Sequence, residues 1–489
     1  MKTSGCRLAT DIAAFWHRKT ALLAAFALLL GGCAAVGPNY VASPPTAPPS
    51  WQGAAAARVA VVRATPAELA HWWRRLDDPP LSRLVEQALQ SSLELRSAQA
   101  KLREARARRA LAGASRFPTV TSSGGVNITK GSSETGTGKT RELYSAGLDA
   151  SWEPDIFGSV RRSEEAAQAD LEATAANLYA TQVSLVAEVA LNYVDLRAYQ
   201  QRLAIAQANV ASQAETLQLA QWRAQAGLVS TLDVEQARAN LAQTRAQLPN
   251  LETDRTEAER RLDILLSQPP GALTGRLADS TGIPRVPTQV MVSIPADTLR
   301  QRPDVQAAER KLAAETARIG VAEAARYPSF KLSGSLSLEA LSLGGLAGAD
   351  ALARGISTSI AAPIFDTGRI RQQIDIQTAV QEQALLAYQS TVLKALTEVE
   401  NALTALAHTR ERQRNLNEAL HAARSATTLA QQRYSSGLID FQTVLDTERS
   451  VLNLEDNLTL SQAEQVSALI QLYKALGGGW AVATPPEGH

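Results

Sequence analysis

Few side chains in this sequence are spaced for catalysis or for metal binding. The run Gly136-Thr137-Gly138-Lys139-Thr140 has the Gly-Lys-Thr end of a phosphate-binding loop. That loop also needs a glycine where this chain has Ser133, and a helix beginning at Thr140, which the sequence does not predict. The five histidines are too scattered to share a metal ion: His17, His71, His408, His421 and His489. We therefore predict no nucleotide site, no metal site, no cofactor and no enzymatic activity.

Cys33 is the residue whose chemistry its surroundings specify. A leader rich in lysine and arginine precedes an apolar run at 21–30, and Leu30-Gly31-Gly32 directly precedes the cysteine. This order is typical of a secretory signal peptide. The tripeptide and cysteine resemble the bacterial lipobox, in which the cysteine is acylated and becomes the first mature residue. An ordinary signal peptide with an incidental cysteine is the alternative. We predict a signal peptide at 1–32 and lipidation of Cys33.

The segment after Cys33 predicts a lipidated N-terminal tether over 33–69. Ala34 lies where a retention aspartate stands in some bacterial lipoproteins, so the analogy favours the outer membrane. Cys6 lies in the leader, which leaves Cys33 as the only cysteine after processing and excludes an intrachain disulfide. Closely spaced prolines favour an extended backbone here. We expect packed structure to begin near Ala70.

The bulk composition favours long helices packed through small side chains. The chain has 489 residues, 45% hydrophobic but only 5% aromatic. Lys and Arg number 49 against 48 Asp and Glu, so the net charge of +1 gives no reason to expect a nucleic-acid partner. No stretch reaches the roughly 18–20 apolar residues that a membrane-spanning helix needs. A transmembrane β-barrel stays open, because alternating strands leave little trace in mean hydropathy.

The chain contains a duplication with an offset of 210 residues, the difference between positions 326 and 116. Three motifs recur at this offset: Arg116-Phe117-Pro118 with Arg326-Tyr327-Pro328, Gly158-Ser159-Val160-Arg161 with Gly368-Arg369-Ile370-Arg371, and Gly227-Leu228-Val229 with Gly437-Leu438-Ile439. Their Pro and Gly residues lie outside the alanine-rich tracts, which argues against low-complexity similarity. We predict a first copy at 70–285, a second at 286–480 and a tail at 481–489.

Each copy predicts the same order of helices. A first helix covers Leu81 to about Ser115, and its equivalent covers Asp304 to about Arg326. After two strands comes a very long helix, free of Pro and Gly from Arg161 to Trp222 in the first copy. Apolar residues recur along it at a 4,3 spacing, which is typical of a coiled-coil seam. The chain then turns at Gly227 or Gly437 and returns as another helix, which Pro249 should bend or break.

Two alternating runs predict the strands. Apolar and polar residues alternate from Phe330 to Glu339 and from Ala146 to Glu153, over about ten residues, the length of a barrel strand in a bilayer. A soluble sheet with one wet face is the alternative. Two copies supply four strands, whereas the smallest membrane barrels have about eight. Because an open sheet edge in lipid costs several kcal/mol for each unpaired group, we expect the barrel to be shared between chains.

Several motifs together resemble the TolC-like outer-membrane factor family, most strongly its NodT-like lipoprotein branch. They span the mature chain: Gly37–Tyr40, Trp72–Leu81, Leu299–Asp304, Ile319–Pro328, Pro363–Gly368 and Ala475–Trp480. The resemblance implies a mostly α fold: a helical-hairpin tunnel across the periplasm, plus four strands per chain in a trimeric twelve-stranded β-barrel. It implies an outer-membrane channel that passively conducts substrates of a tripartite efflux system in a Gram-negative bacterium.

The resemblance also implies partners and a gate. The partners would be two further copies, a periplasmic adaptor, an inner-membrane pump of the resistance-nodulation-division type, and membrane lipid. Aspartates near the glycine turns close such channels, and the motif match places the gate on Asp446. Asp440 is a second candidate, although an acidic residue there could instead cap the following helix. Asp233, in the first copy, is interpreted as a helix-start residue.

Three alternatives to drug efflux remain open at this point. The exit channel could serve type I protein secretion or metal-ion efflux, because the pump rather than the duct selects the cargo. A periplasmic coiled-coil adaptor or structural lipoprotein would share the helical hairpins. Such a protein would lack the alternating runs of about ten residues. The presence of these runs therefore favours the channel.

Overall fold

The computed structural model describes residues 35–42, 47–53, 60–62, 65–278 and 282–480. The signal peptide 1–32, Cys33 and the tail 481–489 lie outside these ranges, so their predictions stay predictions. Across the described ranges, no helix combines the length and apolarity needed to cross a membrane.

Ten α-helices and six strands make up the regular structure of the described residues. The helices are α1 Pro66–Ala70, α2 Pro79–Ser91, α3 Leu93–Ala114, α4 Ser159–Gln225, α5 Thr231–Arg245, α6 Leu248–Leu265, α7 Pro295–Gln301, α8 Pro303–Ala324, α9 Arg369–Ser435 and α10 Phe441–Ala475. The strands are β1 Ala60–Val62, β2 Thr119–Lys130, β3 Thr140–Trp152, β4 Gln289–Met291, β5 Ser329–Ala340 and β6 Leu352–Ala361. The chain divides into two compact units. The prediction of a mostly helical chain that supplies four strands to one sheet is confirmed.

The first unit contains an antiparallel sheet of order β2-β3-β5-β6. Among the described residues this unit covers 35–42, 103–174 and 308–388. Within the described residues, β2 pairs only with β3 and β6 only with β5, so the sheet has two open edges. Strand β2 ends at Lys130 and β3 begins at Thr140, so residues 131–139 connect them. Short 3₁₀ turns, Leu343–Ala347 and Ala349–Ala351, lie between β5 and β6.

The two faces of this sheet differ sharply in polarity. Facing residues in an antiparallel ladder share a face, and the register pairs Leu148 with Leu336 and Trp152 with Leu332. One face carries exposed apolar side chains: Val120, Val126, Ile128, Leu148, Trp152, Leu332, Leu336, Leu338, Ile356 and Ile360. The opposite face is rich in hydroxyl groups: Thr121, Ser123, Ser151, Ser333, Ser335, Ser337, Ser357 and Ser359. Ile356, in β6, is 86% exposed. The described part of one chain leaves this apolar face uncovered.

The segment just after the predicted lipidation site packs into the first unit. Arg162, at the start of α4, donates hydrogen bonds to the Val36 carbonyl at 3.0 Å, the Gly37 carbonyl at 3.0 Å and Asn39 Oδ1 at 2.7 Å. Gly37 lies so close to Gly320 of α8 that a Cβ built on it would be 2.4 Å from the Gly320 Cα. Packed structure therefore begins before Ala70, because the backbone of this segment satisfies a buried guanidinium.

The second unit holds the largest apolar core of the described residues. Among those residues this unit covers 47–53, 60–62, 65–102, 175–278, 282–307 and 389–480. Trp72 and Trp73 are buried in it, and the Trp72 ring lies 5.5 Å from the Tyr473 ring. Asp78 begins α2 by accepting a bond from the Leu81 amide, and it also accepts the Tyr193 hydroxyl at 2.9 Å. Several motifs that carry the family resemblance thus have a packing role. A short parallel pair, β1 with β4, was not predicted.

The long helices match the prediction and extend it. Both α4 and α9 have 67 residues, and their first residues, 159 and 369, differ by the repeat offset. At about 1.5 Å per residue each is roughly 100 Å long. The seam residues Leu185, Val189, Leu196, Val399 and Leu403 are buried. Helices of this length are stabilised by such tertiary seams rather than by propensity alone.

The prediction of one helix from Leu81 to about Ser115 was wrong in one respect. Helix α2 ends at Ser91 and α3 begins at Leu93, because Ser92 adopts a non-helical conformation and its hydroxyl accepts the Leu95 amide at 3.4 Å. The break expected at Pro249 is confirmed: α5 ends at Arg245, and Pro249 lies in the first turn of α6. There its missing N–H costs no helical hydrogen bond.

Candidate functional site

Both long helices end in the same turn. In the first copy Gly227 has φ +70°, its amide donates to the Ala224 carbonyl at 3.0 Å, and the Leu228 amide donates to the Arg223 carbonyl at 2.8 Å. In the second copy Gly437 has φ +71° and the corresponding bonds are present. This pair of bonds is the Schellman motif, which needs a left-handed residue that glycine supplies at low cost. The structure places Gly227 and Gly437 where the sequence predicted the turns.

The two turns lie side by side in the second unit. The Arg223 guanidinium donates to the Tyr434 carbonyl at 3.1 Å and sits 4.5 Å from the centre of the Tyr434 ring. A small apolar cluster packs beneath the turns: Ala220, Val234, Ala237, Ala430, Tyr434, Phe441, Val444 and Leu445. These contacts fix the ends of α4 and α9 to the starts of α5 and α10.

The helices after the turns begin with related caps. In the first copy Ser230 and Asp233 form a capping box. In the second copy the Asp440 carboxylate accepts the Thr443 amide at 2.8 Å and the Thr443 hydroxyl at 2.6 Å. These bonds favour the charged carboxylate, and they hold the pKa of Asp440 below its ordinary value. In the first copy the cap residue is Ser230 and its partner is Asp233, whereas in the second copy the cap residue is Asp440 and its partner is Thr443. Asp440 therefore has the capping role that the sequence left open, and Asp233 is the helix-start residue expected.

Asp446 is exposed two turns into α10 and is tied to its neighbours. Its Oδ1 accepts Gln442 Nε2 at 2.9 Å and pairs with the Arg449 guanidinium at 3.3 Å. Arg449 Nε in turn donates to Oδ1 of Asn240, a buried residue of α5, at 2.8 Å. The chain Asp446–Arg449–Asn240 thereby connects the returning helices of the two copies. The contact between the two helices is the Arg449–Asn240 bond, and the ion pair, which lies within α10, helps to orient the Arg449 side chain.

A buried carboxylate lies beside this connection. Glu448 of α10 is 6% exposed; its Oε1 accepts the Thr216 hydroxyl at 2.9 Å and Gln431 Nε2 at 3.3 Å, while Oε2 has no partner in the described residues. Burial raises the pKa of Glu448, and the two hydrogen bonds oppose that shift. One turn from Thr216, the Gln213 amide is also buried, and neither of its polar atoms has a partner within the same ranges. This polar layer is incompletely satisfied, which is unusual for a helix core.

Three residues of this region were missed by sequence reasoning. Arg449 and Asn240 give no signal, because polar residues on a helix surface are common. Glu448 does give a signal that sequence reasoning could have used. It lies four residues after Val444 and four residues before Leu452, which is the spacing of a buried helix face. Among the described residues no group of His, Cys, Asp and Glu is placed to hold a metal ion. His408 and His421 are exposed on α9.

Comparison with known proteins gives a consistent result. A family model described as Outer membrane efflux protein matches residues 84–268 and 294–478. Nodulation protein T of Rhizobium leguminosarum bv. trifolii is 32% identical over 458 residues, 93% of this chain and 96% of the relative. The pyoverdine export outer membrane protein OpmQ of Pseudomonas putida is 32% identical over 91% of this chain and 95% of its own. The solved outer-membrane channel OprN is 37% identical, with a TM-score of 0.86 over 91% of this chain and 100% of its own.

Glu448 makes stability depend on pH in a defined direction. A carboxyl with a raised folded pKa stabilises the fold below its ordinary value of 4.5, and that contribution is lost as the pH rises through the folded pKa. Glu448→Gln should therefore raise the unfolding midpoint at pH 8 by roughly 2–4 °C, the effect of about 1 kcal/mol. At pH 4 the variant and the wild type should melt together. Thermal melts of detergent-purified protein measure this.

The exposed Glu418 of α9 supplies the matched control, and Glu418→Gln should shift neither midpoint. A Glu448→Gln protein less stable than wild type at pH 8 would show that the carboxylate is ionised and held by Thr216 and Gln431.

Proposed function

Since this chain belongs to the outer membrane efflux protein family and is an outer-membrane efflux channel that reaches into the periplasm, we propose that it is the passive exit duct of a tripartite system. Three copies would form the channel, and an adaptor would join it to an inner-membrane pump. The family consists of channel proteins, not enzymes. The pump would supply the energy for transport, and the duct itself would consume none.

The sheet of the first unit is the observation that supports the proposed trimer. Its apolar face is exposed, and its edge strands β2 and β6 pair on one side only among the described residues. In lipid, each unpaired backbone group costs several kcal/mol. Pairing β2 of one copy with β6 of the next removes both edges, and three copies give twelve strands. The apolar face then meets lipid, while the hydroxyl-rich face lines water.

The N-terminal segment supports lipid anchoring at Cys33. Cys33 precedes the first described residue, Ala35, by two positions, and Val36 and Gly37 are held by Arg162 in the same unit as the sheet. Acyl chains on this cysteine would contribute about 0.8 kcal/mol for each buried methylene.

We place the periplasmic gate at the start of α10. Asp446 is exposed, and in a trimer its carboxylate would be repeated three times around the axis. Its ion pair with Arg449, and the bond from Arg449 to Asn240, would hold the closed arrangement. A ring of carboxylates attracts cations. Asp440 would contribute charge near the turn while it caps α10.

The two turns are the surface we assign to the adaptor. Leu228 and Leu438 each follow a turn glycine, and they are 68% and 73% exposed. Leu232 and Trp222 nearby are also exposed. Apolar side chains that stay exposed on a rigid turn are typical of a docking site.

We infer small-molecule cargo rather than protein or metal ions. Among the relatives, one is named for pyoverdine export, one for solvent efflux and one for toluene efflux. The alternative of a periplasmic adaptor is disfavoured by the exposed apolar sheet face, which an adaptor in water would have to cover.

Purified protein tests the channel itself. The detergent-extracted chain should form trimers that survive SDS until heated, and these should conduct ions in planar bilayers. Light scattering with the detergent mass subtracted gives the copy number. A monomer that leaves cells without detergent and shows no conductance contradicts the proposal.

Asp446→Ala tests the gate. Removing three carboxylates should raise the concentration of multivalent cation that half-blocks the current by about tenfold, because the binding ring is lost. Single-channel recording with cation on the periplasmic side measures this. Glu418→Ala, which removes an exposed carboxylate of α9, is the control. Equal block of wild type and Asp446→Ala removes Asp446 from the gate.

The double variant Leu228→Asp, Leu438→Asp tests the turns. It should keep its trimer and conductance but leave cells about as sensitive to exported compounds as the deletion strain, because charged groups prevent apolar docking. Leu93→Asp changes a leucine that is 65% exposed at the start of α3 and should retain export. Full export by the double variant would exclude these leucines from the adaptor interface.

A further inference from the structure

A polar cavity of about 650 Å³ lies in the second unit, apart from the turns and the candidate gate. Its walls come from α4, α9, α10 and the loop 282–286. Three arginines line it: Arg285 from the loop, and Arg410 and Arg414 from α9. Arg410 and Arg414 are four residues apart, so they project from the same side of the helix.

No aspartate or glutamate stands among the described residues that line this cavity. Nor does any of its three arginines form an ion pair with a carboxylate in the described part of the chain. Neighbouring arginines do: Arg412 pairs with Glu464, and Arg202 pairs with Asp456. The positive charge that faces the cavity is therefore not neutralised by any carboxylate of the described residues. Like charges around one space repel each other, and an anion there would relieve that repulsion.

Hydrogen-bonding groups complete the lining. Five side-chain amides contribute, from Gln201, Gln413, Asn417, Gln462 and Gln465. Gln465 is only 8% exposed, yet its amide makes no side-chain hydrogen bond to any described residue. Because this amide reaches the cavity and has no protein partner among the described residues, water or a ligand in the cavity can satisfy it. Amide N–H groups beside guanidinium groups are suited to oxygen acceptors.

We propose that this cavity binds a small polyanion, a molecule that carries two or three carboxylate or phosphate groups. Guanidinium groups bind both kinds of oxyanion through paired hydrogen bonds. The volume falls within the roughly 300–1,000 Å³ of ordinary small-molecule sites, which is more than one isolated oxyanion requires. The site does not depend on the proposed efflux role.

Calorimetric titration of the full-length trimer in detergent, at low and constant ionic strength, tests the proposal. Citrate and pyrophosphate are the probes, since they present the carboxylate and the phosphate sources separately, and acetate is the monovalent comparison. We expect at least one polyanion to bind one site per chain, and acetate to bind at least tenfold more weakly. The probe that binds more tightly identifies the source.

Arg410→Gln with Arg414→Gln should weaken that binding at least tenfold, because two of the three cationic groups are removed. Arg412→Gln removes one positive charge from the intervening position of α9, which does not line the cavity, and should change the affinity less than twofold. Loss of binding in both variants would indicate nonspecific attraction and overturn the proposal. So would the absence of binding to wild type, as expected if a neighbouring copy's carboxylates fill the cavity.

Discussion

The structure of this protein depends on one constraint: the backbone groups at the edges of its sheet need hydrogen-bond partners. Four strands form a ladder in which every internal strand is paired on both sides, while β2 and β6 each leave one row of backbone groups open in the described chain. Water can satisfy such a row, but lipid cannot. The apolar face, which includes Ile356 and Ile360, places the ladder in lipid. These two facts support the proposed association of identical chains, in which the missing partner of β2 would be the β6 of another copy.

The two copies agree in some elements and differ in others. The turns at Gly227 and Gly437 are closely alike, with φ of +70° and +71° and the same pair of hydrogen bonds. The helices that follow them are not: the first copy breaks into α5 and α6 near Pro249, whereas α10 runs for 35 residues without interruption. The polar connection from Asp446 through Arg449 to Asn240 joins these unequal helices. Two identical copies would not form this asymmetric contact.

Much of the fold could be read from the sequence because its signals are local. The positions of proline and glycine predicted the turns, and the runs of alternating apolar and polar residues predicted β3 and β5. Signals that depend on distant residues were missed. The Leu93 amide, just after the break at Ser92, donates to the Ser267 hydroxyl 174 residues away, and nothing near Val36 shows that Arg162 will hold it. The candidate gate was placed by resemblance, whereas its partners Arg449 and Asn240 lie more than 200 residues apart and meet only through folding.

The matched turns have a consequence for assembly strength. Each chain offers two leucines, Leu228 and Leu438, on turns of the same geometry. Three chains would offer six such contacts, so a ring-shaped partner could engage the threefold channel with pseudo-sixfold valency. Each contact could be weak and reversible, yet their sum would be a long-lived junction through effective concentration. A junction built in this way tolerates the loss of single contacts and still comes apart when the ring opens.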